Sequence, residues 1–260
     1  MSKQQTIQFE NGGSPPTSPL QCYQKDMRDK YAKIEIAPKN IGILKTSLVK
    51  EVSITFAKPY ILKYEYLGKL SGFSRYAFGH FFNEHCGGVC ILGDTGGSDK
   101  AFSKLLPDRK VIVLQRGVNL WWTPKNSASF FISKVIKWLI KNTDFSAITA
   151  TCDEEANEIG TIYQSLGWKY LGSPKHGHPV FIVDGKNVHP KTLYDKHGTS
   201  GVKRIKEIYG NRVEIKDRVF KHRYIKIFKG EDNIEGLKYP KRIHTDSLDD
   251  GINYSKEKVK

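Results

Sequence analysis

Long apolar runs are absent from this chain of 260 residues. A membrane-spanning helix needs about 18 or more consecutive apolar residues, so no membrane partner is predicted. The opening residues, Met1 to Gln5, are not followed by an apolar stretch, which argues against a secretory signal peptide. Cysteine is also scarce, and the 4 cysteines do not form the disulfide framework of a small secreted protein. These absences predict a protein of the cytoplasm.

Acidic side chains are few in comparison with basic ones. The chain has 42 Lys and Arg against 27 Asp and Glu, a formal net charge of +15. Residues 186–229 hold much of this excess, with 13 basic side chains against 4 acidic ones. A positive surface attracts polyanions through Coulomb forces and counterion release. The charge therefore predicts contact with a nucleic acid, the alternative being a basic surface that is merely solvated.

Glycine, proline and charge divide the chain into four segments. Residues 1–21 are predicted to be disordered, because the run from Gly12 to Pro16 cannot build a helix or the interior of a sheet. Residues 22–185 are predicted to form the main domain, and residues 186–229 a basic extension. Residues 230–260 are polar and predict a loose C-terminal tail.

Apolar periodicity predicts an α/β fold. The clearest helix covers residues 127–142, where Phe131, Val135 and Leu139 share one face. A short basic helix is predicted over residues 201–209, and residues 47–57 fit either a helix or a strand. Strands are predicted over residues 32–37, 75–82, 87–92, 111–114, 145–152, 180–183 and 224–228.

The most informative stretch covers residues 153–172. An apolar strand leads into an acidic segment that begins at Asp153, and a helical pattern follows with Tyr163 near its centre. Gly167 stands where a helix commonly ends in the left-handed conformation. The whole order of strands and helices across residues 75–183 resembles the core of the GNAT acyltransferases.

The GNAT resemblance implies a mixed central sheet, flanked by helices, in which two central strands splay apart. It also implies that the helix after the fourth strand directs its N-terminus at the pyrophosphate of the donor, because free N–H groups and the helix dipole favour an anion. One segment departs from the family. The run from Arg116 to Ser127 lacks the glycines that let a backbone wrap a pyrophosphate. Acetyl-CoA and other small donors therefore both stay open.

Four short motifs follow one another in the chain. They are Tyr66-Leu67-Gly68, then Leu114-Gln115-Arg116, then Asn126 with Ser129 and Phe131, then Asp153 with Glu158, Gly160, Tyr163 and Trp168. Their order and spacing resemble a narrower group, the Mom-like DNA-modification proteins of phages. The resemblance implies a transferase that converts adenine in DNA to an N6-carbamoylmethyl derivative and shields phage DNA from host restriction. It also implies that the protein works in the cytoplasm of the host cell.

Five residues are the candidate catalytic groups. Asp153, at the end of a strand, is expected to bind the adenine amino group or accept its proton, or else to cap the next helix. Tyr163 directs its hydroxyl into the cleft or packs in the core. Arg116 binds a phosphate or carboxylate, or pairs with a structural acid. Tyr66 stacks on an extruded base or serves as a core aromatic. Glu65 stands where members of the Mom group often carry His, so an imidazole role would pass to a carboxylate.

Binding residues are expected in three places. Asn126, Ser127 and Ser129 begin the long helix and are expected to contact the donor or to cap the helix. Trp121 and Trp122 offer a platform for a base or sugar. Basic residues interleaved with aromatics suit a DNA backbone, and the candidates for this role are Lys203, Arg204, Lys206, Lys221 and Arg223.

A metal site is not predicted. His80, His85, Cys86 and Cys90 are the right residue types for zinc or iron, but their spacing matches no common zinc motif, and strand alternation would scatter their side chains. The resemblance to the Mom group raises iron as a candidate cofactor with weak support. Two other functions remain open at this stage: an N-acetyltransferase that uses acetyl-CoA on a protein or small amine, and a DNA-binding protein without catalytic activity.

Overall fold

The computed structural model describes residues 22–70, 72–94, 106, 108–153, 156–173, 179–188, 190–216 and 221–241. The predicted disordered tail, residues 1–21, lies outside these ranges, as do residues 242–260 of the predicted C-terminal tail. None of the helices in the described ranges is long and apolar enough to cross a membrane.

Seven strands form one large sheet, in the order β1-β2-β3-β4-β5-β10-β6. All neighbouring strands are antiparallel except β4 and β5, which run parallel. The strands are β1 (Leu48–Val52), β2 (Ser74–Phe82), β3 (His85–Asp94), β4 (Val111–Asn119), β5 (Ala147–Asp153), β6 (Lys169–Tyr170) and β10 (Lys221–Ile227). The sheet is mixed, as the GNAT resemblance implies.

Helices cover both faces of this sheet because side chains alternate along its strands. Ala77, Val89 and Ile91 point to one face and form a buried cluster with Ala57 and Ile61 of a helix. The residues next to them, Phe78, Cys90 and Leu92, point to the other face and pack against a second helix. The helices of this domain are α1 (Tyr23–Ile34), α2 (Ile54–Tyr64), α3 (Ser127–Asn142) and the short α4 (Thr161–Ser165).

Two predictions near the N-terminus need correction. The predicted strand at residues 32–37 is the end of α1 and an irregular segment. Its alternating isoleucines face water, since Ile34 is 65% exposed and Ile36 is 94% exposed, and alternation indicates a strand only where one face is buried. The ambiguous segment at residues 47–57 contains both structures: β1, then the start of α2, whose first turn is capped by the Ser53 hydroxyl accepting a hydrogen bond from the Phe56 N–H at 3.0 Å.

The predicted strand at residues 180–183 exists, but it belongs to a separate sheet. Strands β7 (Val180–Val183), β8 (Lys186–Val188) and β9 (Val213–Lys216) form an antiparallel sheet in the order β8-β7-β9. Helices α5 (Pro190–His197) and α6 (Val202–Tyr209) complete this unit. It has its own buried cluster, made of Phe181, Val183, Leu193 and Ile205. We call residues 180–216 the inserted module, because they lie between β6 and β10 in the chain.

The structure differs from the predicted domain boundaries at two points. Strand β10, which was predicted as part of the basic extension, is the sixth strand of the large sheet and pairs with β5 and β6. The start of the predicted loose tail is attached to this domain. The Leu237 N–H donates to the Tyr170 carbonyl at 2.8 Å, and the Tyr239 hydroxyl donates to the Trp168 carbonyl at 2.8 Å. The main domain therefore extends to at least residue 241.

The parallel strands β4 and β5 separate toward their C-terminal ends. They pair from Val111 with Ala147 to Leu114 with Ala150, and their ladder stops there. Strand β4 nevertheless continues to Asn119, paired with β3, and β5 continues to Asp153, paired with β10. The gap between the two strands is the splay expected for a GNAT-like sheet, and with α3 following β4 it confirms the predicted fold class.

Candidate active site

The splay between β4 and β5 opens into a cleft of about 600 Å³. Ligands of α/β sheets commonly bind at the carboxyl ends of strands where neighbouring strands separate. The walls of this cleft come from the ends of β4 and β5, the start of α3, the segment before α4, the segment after α2, and α1. Asp153, Tyr163, Arg116, Tyr66 and Glu65, the five predicted catalytic residues, all line it.

A β-bulge directs Arg116 to its place in the cleft. Ile91 pairs with Arg116 whereas Leu92 pairs with Leu114, so Gln115 is an extra residue in β4. The bulge moves the Arg116 side chain to the face of the sheet that carries α2. There its Nε donates to the Lys69 carbonyl at 2.8 Å, and its Nη1 donates to the Gln115 carbonyl at 2.7 Å. Arg116 thus lines the cleft, and backbone oxygens hold its guanidinium.

Glu65 shapes the turn that follows α2. One carboxylate oxygen accepts the N–H groups of Leu67 at 3.0 Å and Gly68 at 3.1 Å. Burial raises the pKa of Glu65 to about 6, while Arg116 and the two backbone N–H groups oppose that rise. Because the carboxylate is bound in this way, its geometry favours a structural role over that of a free general base.

Three carboxylates that line the cleft act electrostatically on Tyr66, which lines it too. Burial raises the pKa of the Tyr66 hydroxyl, and the charges of Asp153, Glu158 and Glu65 raise it further, with Arg116 acting in the opposite direction. The hydroxyl therefore keeps its proton at neutral pH and can donate a hydrogen bond to a ligand. This convergence of three acids on one tyrosine is the main electrostatic feature of the site.

Asp153 ends β5 and faces Lys221 across the strand pair. The Lys221 Nζ lies 4.0 Å from an Asp153 carboxylate oxygen, and both side chains line the cleft. The alternative role for Asp153 was to cap the next helix. Gly160, not Asp153, is the N-cap of α4, so that helix does not explain the carboxylate. Asp153 is thus an acidic group at the cleft with a lysine beside it.

Tyr163 reaches the cleft from the opposite face of β5. Its ring packs against Trp168 and Tyr224, with ring centroids 4.9 Å and 5.3 Å away, and burial raises its pKa well above the usual value. It belongs to the buried cluster that includes Cys152, and adjacent strand residues point to opposite faces. Asp153 and Tyr163 therefore approach the cleft from two faces of the sheet. The packing of the Tyr163 ring supports the predicted core role at least as well as the catalytic one.

The predicted donor-binding residues bond within their own turn. The Ser127 hydroxyl donates to the Pro124 carbonyl at 2.5 Å, and the Ser129 hydroxyl donates to the Asn126 carbonyl at 3.1 Å. Asn126 is the N-cap in the left-handed conformation, with φ of 67° and no capping bond from its side chain. The side chains of α3 that line the cleft are instead Ala128, Phe131 and Ile132. Any donor contact at this helix would thus rest on its backbone N–H groups and these apolar side chains.

The two tryptophans of the predicted platform separate. Trp121 lines the cleft, whereas Trp122 packs edge-on against Phe82 at a centroid distance of 5.7 Å. The platform for a base or sugar therefore stays a prediction for Trp121 alone. Next to it, Asn119 also lines the cleft, and its buried side-chain oxygen has no hydrogen-bond partner within the described ranges.

The predicted DNA-contact residues also divide into groups. Lys203, Arg204 and Lys206 are exposed on α6, where Arg204 pairs with Glu207 at 2.8 Å. Lys221 lines the cleft and so stands apart from these three residues of α6. Arg223 is half-buried and donates to the carbonyls of Leu171 at 3.2 Å and Gly172 at 3.5 Å. The guanidinium of Arg223 thus fixes a turn, which corrects its assignment as an open phosphate contact.

The candidate metal ligands do not come together. His80 is fully buried, stacks on Phe130 and Phe131, and bonds the Ser47 hydroxyl at 2.8 Å. Burial lowers its pKa to about 4, so it is a neutral core residue. Within the part of the chain that the structure describes, no three His, Cys, Asp or Glu side chains are placed to hold a metal ion.

Helix α1 is the part of the site that the sequence did not reveal. Gln24, Lys25, Arg28 and Asp29 line the cleft, yet their segment carries no motif and was adjacent to a wrongly predicted strand. Its helical pattern, with charged residues at half of the positions, is the only signal that was available.

Comparison with known proteins identifies the group to which this chain belongs. A model of the Mom protein family matches residues 46–244, which include every wall of the cleft except α1. The chain belongs to the Mom family. No curated protein matches its sequence. Membership confirms the family that the four motifs indicate.

Solved structures similar to this Mom family chain include two acetyltransferases and a protein bound to acetyl-CoA. A polyamine N-acetyltransferase of Drosophila melanogaster is 7% identical, with a TM-score of 0.43 over 70% of this chain and 100% of the other. NAA60 of Arabidopsis thaliana, in complex with acetyl-CoA, is 8% identical, with a TM-score of 0.42 over 71% and 100% of the two chains. An N-acetyltransferase of Staphylococcus aureus is 12% identical, with a TM-score of 0.37 over 70% and 97%.

Proposed function

We propose that this Mom family protein is a DNA-modifying transferase that adds a carbamoylmethyl group to N6 of adenine. The observation that carries the proposal is the convergence of Asp153, Glu158 and Glu65 on Tyr66 in a chain of net charge +15. A basic surface attracts a polyanion, whereas a group of carboxylates suits an amino group that must lose a proton. The two features together fit an amine that is carried on DNA.

Asp153 is the proposed general base. The adenine amino nitrogen forms a new bond to the methylene carbon of the donor, and the bond from that carbon to its leaving group breaks, with the leaving group taking the electron pair. One amino hydrogen then leaves as a proton, and Asp153 accepts it. Glu65 is less suited to this step because its carboxylate already accepts two backbone N–H groups.

Tyr66 and Trp121 are proposed to receive the base. An adenine in duplex DNA must leave the stack to reach such a cleft, at a cost of about a few kcal/mol. Aromatic faces recover part of this cost by stacking, at about 1 to 3 kcal/mol per base. The protonated Tyr66 hydroxyl can also donate a hydrogen bond to a ring nitrogen.

Exposed cations of the inserted module are proposed to hold the DNA backbone. Lys203, Arg204 and Lys206 lie on one short helix. Lys221, at the start of β10, lines the cleft. Phosphate contacts fix the position of a duplex without reading its sequence. In this proposal the protein acts in the cytoplasm of a host cell and protects phage DNA from restriction.

Mass spectrometry of nucleosides tests the function. DNA from cells that express the full chain is expected to contain a deoxyadenosine in which a carbamoylmethyl group replaces one amino hydrogen. An unchanged nucleoside profile, with the protein folded and bound to DNA, would instead favour a DNA-binding role without catalysis.

Acyl transfer from acetyl-CoA is the second candidate, because the first turn of α3 lines the cleft between β4 and β5 through Ala128. Such a helix start suits a pyrophosphate. A rise in the melting temperature on addition of coenzyme A, together with an acetylated protein or small amine as product, would favour this candidate.

A further inference from the structure

Helix α1 forms one wall of the cleft, although it lies outside residues 46–244 of the family match. It is 12 residues long, and five of its residues line the cleft. Two of its side chains, Gln24 and Arg28, reach backbone groups of two different segments that border the cleft. One of these segments follows α2, and the other connects β4 to α3.

Gln24 fixes the segment that carries Glu65 and Tyr66. Its side-chain nitrogen donates to the Tyr64 carbonyl at 2.9 Å, and its side-chain oxygen accepts the Tyr66 N–H at 3.2 Å. One amide thus satisfies an acceptor and a donor on either side of Glu65. The two bonds leave this segment little freedom to move Tyr66 relative to the sheet.

Arg28 fixes the segment that carries Trp121. Its Nη2 donates to the Leu120 carbonyl at 3.4 Å and to the Trp121 carbonyl at 3.3 Å. Burial lowers the pKa of this guanidinium, and Asp29 opposes that effect. A partly buried cation on two carbonyl oxygens anchors the segment just before α3, which also lines the cleft.

Further contacts anchor α1 itself to α2. The Tyr31 hydroxyl donates to the Lys63 carbonyl at 2.8 Å, and the Tyr31 ring meets the Tyr64 ring edge-on at a centroid distance of 4.7 Å. The helix is therefore a fixed bridge and not a loosely attached cover. One helix thus bonds both the segment after α2 and the segment between β4 and α3.

We propose that Gln24 and Arg28 are positioning residues, which hold Tyr66 and Trp121 at a fixed separation so that the extruded base fits between them. Reacting groups must be held to within about 0.5 Å of productive geometry, and loops reach that precision only when other elements support them. The segments on either side of the cleft lie outside the sheet, so α1 supplies this support. The catalytic part of this inference rests on the proposed function.

The test uses the full chain and the substitution Gln24→Met, which keeps the length of the side chain and removes both hydrogen bonds. Hydrogen exchange measured by mass spectrometry is expected to be faster at residues 66–68 by on the order of 10-fold, with the rest of the large sheet unchanged. Arg28→Ala is expected to accelerate exchange near residues 120–123, and Arg28→Lys to restore part of the protection. Lys33→Ala, on the exposed side of α1, is the matched control and should change neither segment.

Kinetics then separate positioning from simple stability. Gln24→Met is expected to lower the turnover number for DNA modification while leaving the KM for DNA and the melting temperature near their wild-type values. Exchange at residues 66–68 that equals the wild-type rate would overturn the inference, whatever the activity. A wild-type protein without modifying activity would overturn the proposed function, while the exchange measurement would still decide whether α1 holds the two segments.

Discussion

The cleft of the large sheet and the surface of the inserted module use charge in opposite ways. At the cleft, buried or half-buried carboxylates approach one tyrosine, and the nearby cations Arg116 and Lys221 are held by carbonyl oxygens or by an acid. On the module, Lys203 and Lys206 are exposed, and the ion pairs of the module are at its surface. Buried charges alter pKa values and so suit chemistry, whereas exposed charges suit a salt-dependent contact with a polyanion.

This comparison indicates a division of work within one chain. The module has its own buried cluster, so its surface can change without loss of the large sheet. The cleft residues come from segments far apart in the sequence, and their geometry depends on the sheet. Substitutions in the two regions should therefore separate chemistry from DNA binding, and the following predictions are ordered from the largest expected effect to the smallest.

Replacement of the proposed base should have the largest effect. Asp153→Asn keeps the size of the side chain but cannot accept a proton, so DNA modification is expected to fall by on the order of 100-fold or more. The DNA dissociation constant, measured by fluorescence anisotropy, should stay within about 3-fold of wild type, because the change is outside the proposed backbone contacts. Equal modification by both proteins would show that Asp153 is not the base.

Removal of charge from the module should weaken binding and leave the chemistry intact. The triple variant Lys203→Ala, Arg204→Ala and Lys206→Ala is expected to reduce the slope of log affinity against log salt by roughly 2 to 3 units, about 0.9 per lost phosphate contact. Saturating DNA should restore its turnover to near the wild-type value. Lys186→Ala, also exposed on the module, is a single-charge control. A slope that does not change would place the DNA elsewhere on the protein.

Tyr163→Phe tests the group on the far side of β5. Because the ring packs against Trp168 and Tyr224 and only the hydroxyl is removed, the melting temperature is expected to change by no more than a few degrees. Modification is expected to fall by less than about 10-fold, a smaller loss than a positioned acid–base group causes. A loss as large as that of Asp153→Asn would assign the hydroxyl a direct part in the reaction.

Glu65 should make a small, pH-dependent difference to stability. Its pKa rises from the usual 4.5 to about 6 in the folded protein, so protonation favours the folded state. This contribution is complete below about pH 4.5 and is lost as the pH rises through about 6. Glu65→Gln keeps an acceptor for the two N–H groups and should be more stable than wild type at pH 7 by on the order of 1 to 2 kcal/mol. Urea denaturation at pH 4.5 and pH 7 measures the difference, which should nearly vanish at the lower pH.

Local sequence signals were sufficient for part of this fold. The apolar face of α3, the paired runs of β2 and β3, and the strand β5 before Asp153 were all predicted from periodicity and are confirmed. The pattern of α3 is strong because one of its faces is buried. The strands stand out as apolar runs because helices cover both faces of the sheet. Similar reasoning placed Asp153 and Arg116 at the ends of strands, where ligands of α/β sheets commonly bind. Tyr66 follows a helix and was a candidate only through the resemblance to the Mom group.

Features that depend on distant pairing could not be predicted in this way. The run Val180–Val183 indicates a strand, but nothing within it shows that its partners are β8 and β9. Nor does it show that β10, and not this run, pairs with β5 in the large sheet. The bulge at Gln115 leaves no trace in the pattern of β4, although it decides which face Arg116 occupies. The hydroxyls of Ser127 and Ser129 were correctly placed at a helix start, yet whether they face a ligand or their own turn depends on the rotamer.

The measurement that tests the account most directly is the nucleoside mass spectrum of plasmid DNA from cells that express either the wild-type chain or Asp153→Asn. We predict a deoxyadenosine heavier by a carbamoylmethyl substitution with the wild-type chain, and an almost unmodified profile with the variant although both proteins bind the plasmid. Unmodified adenine with the wild-type chain, or a modification confined to another base, would contradict the claim that the cleft acts on the adenine amino group.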